Sequence, residues 1–457
     1  MVELIGRSEE LADLEHAWRQ ASSGRPQLAV IWGRRRVGKT FLLTHFAEAK
    51  RAVYFTATRQ DSTERQLVRL TSRVREQLGG ATDDLLGGPF RDWESAFRFL
   101  IRMAESEPLL VVIDEAPRLL SSQPDFADLI SAVWENRVRE QRLMVVLTGS
   151  AVSVMEEMLG AQGGLHRRAG LEVRLDPFTL RGARAFLPNV PAADFIAAYA
   201  VCGGYPLHLE QWDESAGLED NLLNLAYRPT GILVRDALDI IGEDLDWRGG
   251  YERVLAAIGY GARRRSRIAG RAQQRIDYTL ERLRRAGYVQ RLVPLGSTSA
   301  DPLYEIADTY LAFWFGVLRD DADLIEGGQG DAVRHRTKAR LERHTARVFE
   351  QTCREHAALL VRQHVLPAEM VVGRWWRDET AEIDVLGLLG DRTGLLGECR
   401  WQTTPVTSRD LVELQRKLAF VPEPADQVLF RFWTRTGAAS PGLGLTVHSA
   451  DDVVGAE

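Results

Sequence analysis

Between Ala29 and Thr40 the chain reads Ala-Val-Ile-Trp-Gly-Arg-Arg-Arg-Val-Gly-Lys-Thr and continues into Phe41-Leu42-Leu43. An apolar run, a glycine-bounded loop and a helix start in that order fit the phosphate-cradling loop pattern of Gly, four residues and Gly-Lys-Thr. Each residue type has a physical reason. Gly33 and Gly38 let the backbone curl so that its N–H groups converge on a phosphate chain. Lys39 is a compact charge able to reach β- and γ-phosphates, and Thr40 offers a hydroxyl to Mg²⁺. A helix starting at about Gly38 aims its positive dipole end at the same phosphates. Composition sharpens this reading. The only lysines are Lys39, Lys50, Lys338 and Lys417, so a lysine following three arginines is not a product of general basicity, and the two cations are not interchangeable at a phosphate.

A parallel-sheet core follows from the apolar runs. Val53–Thr56, Leu109–Asp114, Leu143–Leu147 and Leu171–Leu175 read as further strands, with helices over 62–80 and 93–105 between them. The run Leu-Leu-Val-Val-Ile ends in Asp114-Glu115, the Walker B arrangement. Asp114 would hold Mg²⁺ directly or through water, and Glu115 would polarise the water that attacks a γ-phosphate. Thr148-Gly149-Ser150 ends the fourth strand. Its hydroxyls suit either sensing of the phosphate or a helix cap. The Gly-rich stretch before the fifth strand carries Arg167 and Arg168, placed to neutralise charge during phosphoryl transfer or to sit on a solvated loop.

Length and charge set the frame. A chain of 457 residues is expected to form two to four domains. Its 45% hydrophobic and 27% charged residues are those of a globular protein, and a net charge of −6 gives no global sign of nucleic-acid binding. Three widely spaced cysteines suggest reduced thiols. The opening residues lack a signal-peptide shape and no run of about 18 apolar residues occurs. The expectation is a cytoplasmic protein without a membrane span.

Local charge departs from the global value at 251–293, where eleven arginines face three acidic residues. A helix at Tyr251–Ile258, a short basic segment at 263–269, a helix at Gln273–Ala286 and a strand at 287–293 follow the order of a winged helix-turn-helix. Ile276, Leu280 and Leu283 form its apolar stripe. Arg264, Arg265, Arg267, Gln274, Arg275, Arg282 and Arg285 are left as candidate DNA contacts, with protein contacts the alternative. Glu326–Asp331 reads as a linker.

Farther on, two strands joined by a turn at Asp391–Gly394 carry Asp384 on the first and Glu398 and Arg400 on the second. Period-2 geometry puts Glu398 and Arg400 on one face, where an Asp and a Glu on paired strands are able to share a divalent metal.

The set Ile5-Gly6-Arg7-x-x-Glu10-Leu11, the loop at 33–40, Val112-Ile113-Asp114-Glu115-Ala116, Leu147-Thr148-Gly149-Ser150 and Gly203-Gly204-Tyr205-Pro206 resembles the archaeal-type ATPases, a branch of the AAA+-like and STAND P-loop NTPases. The resemblance spans the chain. It implies an α/β P-loop NTPase core over 1–177, a helical lid over 178–243, a winged helix over 244–325 and a restriction-endonuclease-like PD-(D/E)XK α/β domain over 326–457. Its nucleotide-binding residues would be Arg7, Gly33, Arg34, Arg35, Arg36, Val37, Gly38, Lys39, Thr40, Phe41, Ser150 and Pro206, with Thr40 and Asp114 on Mg²⁺. Lys39, Glu115 and Arg167 or Arg168 would serve hydrolysis of ATP. Relatives carry Tyr-Gly-Arg-Arg where this chain has Leu165-His166-Arg167-Arg168. The resemblance also adds Glu350 to Asp384 and Glu398 as a nuclease-like site, in which Arg400 stands where a lysine is expected. The function implied is an ATPase whose cycle controls DNA binding. The alternatives are a nucleotide-gated switch acting on a protein partner or homo-oligomer, and an ATP-licensed metal-dependent nuclease.

Overall fold

The computed structural model describes residues 4–79, 85–137, 140–242, 250–297, 301–377 and 381–455. The expected boundary at 243/244 lies outside them. The chain divides into two compact units, Met1–Pro177 with Asp239–Asp246, and Phe178–Leu238 with Trp247–Glu457. No helix among the described residues is long and apolar enough to cross a membrane.

The first unit is built on five parallel strands: β1 (Gln27–Trp32), β2 (Ala52–Thr56), β3 (Leu109–Asp114), β4 (Leu143–Gly149) and β5 (Leu171–Arg174), in the order β2-β3-β4-β1-β5. Every residue of β3 and β4 is buried, which is why both read as unbroken apolar runs rather than alternating ones. The helices begin where local chemistry allows. Ser62 caps Thr63–Leu78, and Asp92 forms a reciprocal box with Ser95 at Trp93–Ser106. The second of these helices seats Trp93, 1% exposed, against Phe55, Phe97 and Phe126 at ring separations of 6.1, 6.4 and 5.1 Å. The first helix, Ser8–Ser22, starts after Arg7, which takes a left-handed φ of 60°.

The second unit opens with helices Leu180–Arg184, Ala192–Cys202, Pro206–Glu210 and Leu218–Ala226. Helices Tyr251–Gly259, Arg265–Ala272 and Asp277–Arg285 then precede an antiparallel pair, β6 (Val289–Leu292) and β7 (Leu303–Ile306). The third helix is shorter than its sequence suggests. Gln273 adopts a left-handed φ of 51°, and the Gln274 amide donates to the Gly250 carbonyl at 2.9 Å, so helical hydrogen bonding starts only at Asp277. Ile276, Leu280 and Leu283 are buried as the periodicity requires.

The expected linker at Glu326–Asp331 is instead a tight junction between helices. Ala322–Glu326 ends there, and Gly330 begins a 33-residue helix, Gly330–Arg362. A Cβ at Gly330 would overlap the Tyr227 carbonyl, so a glycine that looks like a flexible spacer is a packing requirement. This helix packs on Ala192–Cys202 at one side and on the C-terminal sheet at the other. That sheet runs β12 (Thr446–His448), β11 (Pro424–Thr434), β10 (Arg392–Arg400), β9 (Glu382–Leu389), β8 (Val371–Trp376). β8, β9 and β10 pair antiparallel, and β10, β11 and β12 pair parallel.

Candidate functional site

The loop after β1 takes its shape from two glycines. A Cβ at Gly33 would overlap the Leu175 carbonyl beyond β5, and Gly38 holds φ 92° as it caps the helix Lys39–Ala47. Lys39 is 5% exposed, and its ammonium donates to the carbonyls of Gly33 (2.7 Å) and Arg34 (2.9 Å). The cation is thus held inside the loop. Arg34 is buried with it, whereas Phe41 is 43% exposed. Arg7 reaches in from the chain start. It donates to the carbonyls of Val37 (3.3 Å) and Asp176 (2.6 Å) and pairs with Glu10 at 2.9 Å.

Thr40 meets Asp114 across the strand ends: Oγ1 donates to Oδ2 at 3.1 Å. Tyr54 Oη donates to the same oxygen at 3.2 Å. Asp114 Oδ1 is buried with no hydrogen-bond partner among the described residues. Burial, then the charge of Glu115, pushes the Asp114 carboxyl above its ordinary range, while Thr40, Tyr54 and Lys39 pull the other way. An orphaned carboxylate oxygen beside a threonine hydroxyl is a hard oxygen-donor set, and it fits Mg²⁺, which seeks few carboxylates and keeps waters.

Glu115 sits at φ 57°. Ser150 grips it twice, by Oγ to Oε1 and by its backbone N–H to Oε2 at 3.3 Å, and Arg118 lies 3.8 Å from Oε2. The hydroxyl at the end of β4 therefore positions the carboxylate. Thr148 Oγ1, two residues earlier, is buried without a partner among the described residues. Arg168 is drawn to Ser131 and Glu135 on the helix Phe126–Arg137. Arg167 is exposed with φ 59°. Pro206 belongs to the second unit, where it opens the helix Pro206–Glu210. Tyr54 and Arg118 escape sequence reasoning, because only strand register and the turn after β3 bring them to the acids.

In the second unit, Asp384 Oδ2 accepts from the Cys399 N–H at 2.9 Å. Glu350, on the long helix, is close enough for each carboxyl to feel burial and nearby negative charge. Both are pushed up, Glu350 by burial and then Asp384, and Asp384 by burial and then Glu398, with the Cys399 N–H opposing. Glu398 is taken from both sides: Lys417 Nζ donates to Oε2 at 2.6 Å and Arg400 approaches Oε1 at 3.7 Å. Arg400 also pairs with Asp410. Among the described residues no group of three or more His, Cys, Asp or Glu is arranged to hold a metal ion, and a glutamate bonded to lysine does not fit the shared-metal role expected for it.

The basic segment is partly neutralised by its own neighbours. Arg264 pairs with Asp301, Arg265 with Asp277, and Arg285 with Glu281. Arg267, Arg275 and Arg282 are exposed, the last donating to Tyr278 Oη at 3.2 Å.

Residues 4–212 match the model of an ATPase domain predominantly from Archaea, and residues 314–413 match a family of archaeal and bacterial proteins of unknown function. An uncharacterized protein of Methanocaldococcus jannaschii is 24% identical over 428 residues, covering 91% of this chain and 90% of its own. Among solved structures, the Walker-type ATPase of Pyrococcus abyssi is similar at a TM-score of 0.50 and 20% identity, covering 68% of this chain and 96% of that one. The ORC2 protein of Aeropyrum pernix aligns at a TM-score of 0.44 and 16% identity, covering 72% and 96%. Over residues 4–212 the chain therefore carries an ATPase domain of the archaeal type, and over 314–413 it carries the domain of unknown function.

Proposed function

We propose that this protein binds and hydrolyses ATP and couples that cycle to DNA held by its second unit, in the cytoplasm. The observation that carries the first half is the Thr40–Asp114 pair at 3.1 Å with a buried, unpartnered Asp114 Oδ1, next to Lys39 inside the loop. Lys39 exchanges loop carbonyls for phosphate oxygens and stabilises charge as it builds. Glu115, fixed by Ser150, orients a water and accepts its proton. Thr40 and Asp114 would hold Mg²⁺, whose charge would offset that of the phosphates. Turnover should fall to background in Lys39→Ala and rise with duplex DNA in the wild type. Unchanged turnover in Lys39→Ala would refute the site.

Helices Tyr251–Gly259, Arg265–Ala272 and Asp277–Arg285 followed by the β6–β7 pair support a winged helix, with Arg267, Arg275 and Arg282 as phosphate contacts. The C-terminal sheet then acts as a contact module of restriction-endonuclease-like architecture that does not cut. The support is Glu398, whose oxygens face Lys417 and Arg400. Plasmid incubated with Mg²⁺ or Mn²⁺ should stay intact with wild type and with Glu398→Ala alike. Cleavage by the wild type alone would restore the nuclease reading.

A further inference from the structure

The second unit contains a cavity of about 130 Å³ that the ATPase chemistry does not use. It is walled by the helix Tyr251–Gly259 and the turn after it, by β7, by the segment Thr309–Val317, by the middle of the long helix and by β8. Six arginines line it: Arg263, Arg340, Arg343, Arg347, Arg354 and Arg374. Four of them come from one helix at spacings of three, four and seven, which keeps them on one side of it.

Among the described residues only two carboxylates line the same space, Glu305 and Glu350. Glu305 is shared between Arg263 and Arg374. Burial and then Asp384 push the Glu350 carboxyl up. Outside the cavity, Asp321 engages Arg340 at 2.6 Å, Glu382 engages Arg374, and the Asp384 carbonyl takes Arg354 at 3.1 Å. Arg343 and Arg347 remain. Neither guanidinium donates a hydrogen bond among the described residues, and the two stand one helical turn apart at the exposed rim.

Crowded guanidinium groups repel one another. Arg263 is pushed down to about 9 by burial, then by Arg374 and Arg347. Arg347, although part of its side chain is exposed, is also lowered by the protein packed around it and by Arg374 and Arg343, against the pull of Glu350. A surface that only needed packing would not assemble like charges round an opening. A compact oxyanion would remove the repulsion and use the planar forks as paired donors.

We propose that this cavity binds a phosphate group, with Arg343 and Arg347 as its entrance ligands and Arg263 and Arg374 behind them. The space suits a phosphate with a water or two rather than a whole nucleotide. The phosphate is therefore either a free anion or the terminal phosphate of a nucleic-acid strand whose base and sugar stay outside. This site is separate from the loop at 33–40 and stands whether or not that loop hydrolyses ATP.

The test uses the full chain carrying Lys39→Ala, which removes phosphate binding at the loop. Calorimetric titration with inorganic phosphate at low salt should give one saturable site. Adding Arg343→Gln and Arg347→Gln should weaken it at least tenfold, and Arg343→Lys with Arg347→Lys, which keeps charge but loses the forks, should fall between. The melting transition of each variant shows that it is folded. A 5′-phosphorylated oligonucleotide that binds more tightly than its 5′-hydroxyl twin, with the gain lost in the glutamine variant, identifies a strand end. Equal binding of the twins alongside a saturable phosphate site identifies a free anion. Absence of saturable binding by both phosphate and phosphorylated oligonucleotide, or binding unchanged in the glutamine variant, would overturn the proposal.

Discussion

Thr40 and Asp114 are 74 residues apart in sequence, yet the Thr40 hydroxyl donates to Asp114 Oδ2 at 3.1 Å, where the helix after β1 meets the end of β3. Both donors of the proposed metal site are in hydrogen-bond contact, and the second Asp114 oxygen is buried and unmatched among the described residues. Removing either should therefore damage turnover more than nucleotide affinity. Thr40→Ala and Asp114→Asn are expected to lower the ATP hydrolysis rate roughly 10²-fold or more, the scale for losing one electrostatic stabiliser of the reaction. Steady-state rates at saturating Mg-ATP check this, and a variant within threefold of wild type would argue against the pair.

Ser150 gives a subtler case. Its Oγ and N–H both bond Glu115, so Ser150→Ala leaves the carboxylate in place but loosely held. We expect kcat to fall about tenfold with KM nearly unchanged, on the argument that small misplacements of a water-orienting group slow chemistry without affecting binding. Glu115→Gln should be much slower. A large rise in KM for Ser150→Ala would point to nucleotide contact instead.

Gly33→Ala tests the loop's packing. The added methyl would meet the Leu175 carbonyl, which is backbone and unable to rotate away. Overpacking of this kind costs about 1–3 kcal/mol. Denaturant unfolding of the nucleotide-free protein should show the loss in the first unit, and an unchanged midpoint would contradict it.

Acid stability should depend on buried histidines of the second unit. His356 is pushed down to about 4 by burial, then by His448 and Arg181; His448 is likewise near 4 through burial and then Arg431. A histidine lowered in the folded state stays neutral there while the unfolded chain takes up a proton below about 6.5. Stability is then complete above that pH and is lost as pH falls toward 4. Glu350 and Asp384, shifted upward, act in the opposite sense, so a single-site comparison is needed. His356→Gln retains an acceptor for the Trp433 indole N–H, now bonded to His356 Nδ1 at 2.9 Å. Its melting temperature should decline less than that of the wild type between pH 6.5 and 4. Parallel curves would sink the assignment.

For the basic segment, Arg275→Ala should weaken DNA binding at every sequence and reduce the salt slope by about one. Arg265→Ala, at a residue already paired with Asp277, should do less. Equal effects at both would mean that ion pairing does not set their contribution.

The sequence made the loop and β3 legible because their chemistry is local: a glycine spacing, a lysine among arginines, an apolar run ending in two acids. Tyr54 was not legible as a partner of Asp114, since a tyrosine in a strand reads as packing until register pairs Thr56 with Asp114 and brings its neighbour close. Charge counting overstated the basic face, because Asp301, outside the counted stretch, sits close enough in the fold to pair with Arg264. Lys417 reaches Glu398 from a separate element, 19 residues away. Lysine rarity, which singled out Lys39, applies equally to Lys417, but nothing in the local pattern connects it to the glutamate. The run at 326–331 misled because two adjacent glycines look the same in a spacer and in a tight helix junction.

The 33-residue helix from Gly330 to Arg362 is roughly 50 Å long at 1.5 Å per residue. It carries Arg340, Arg343 and Arg347 in its middle, Glu350 and Arg354 a turn or two on, and His356 beyond them. Helical hydrogen bonds make such a rod stiff along its axis, so these groups have little freedom to move independently. The arginines of the cavity and the carboxyl that faces Asp384 of β9 thus share one scaffold, and their spacing along it is set by the helix itself.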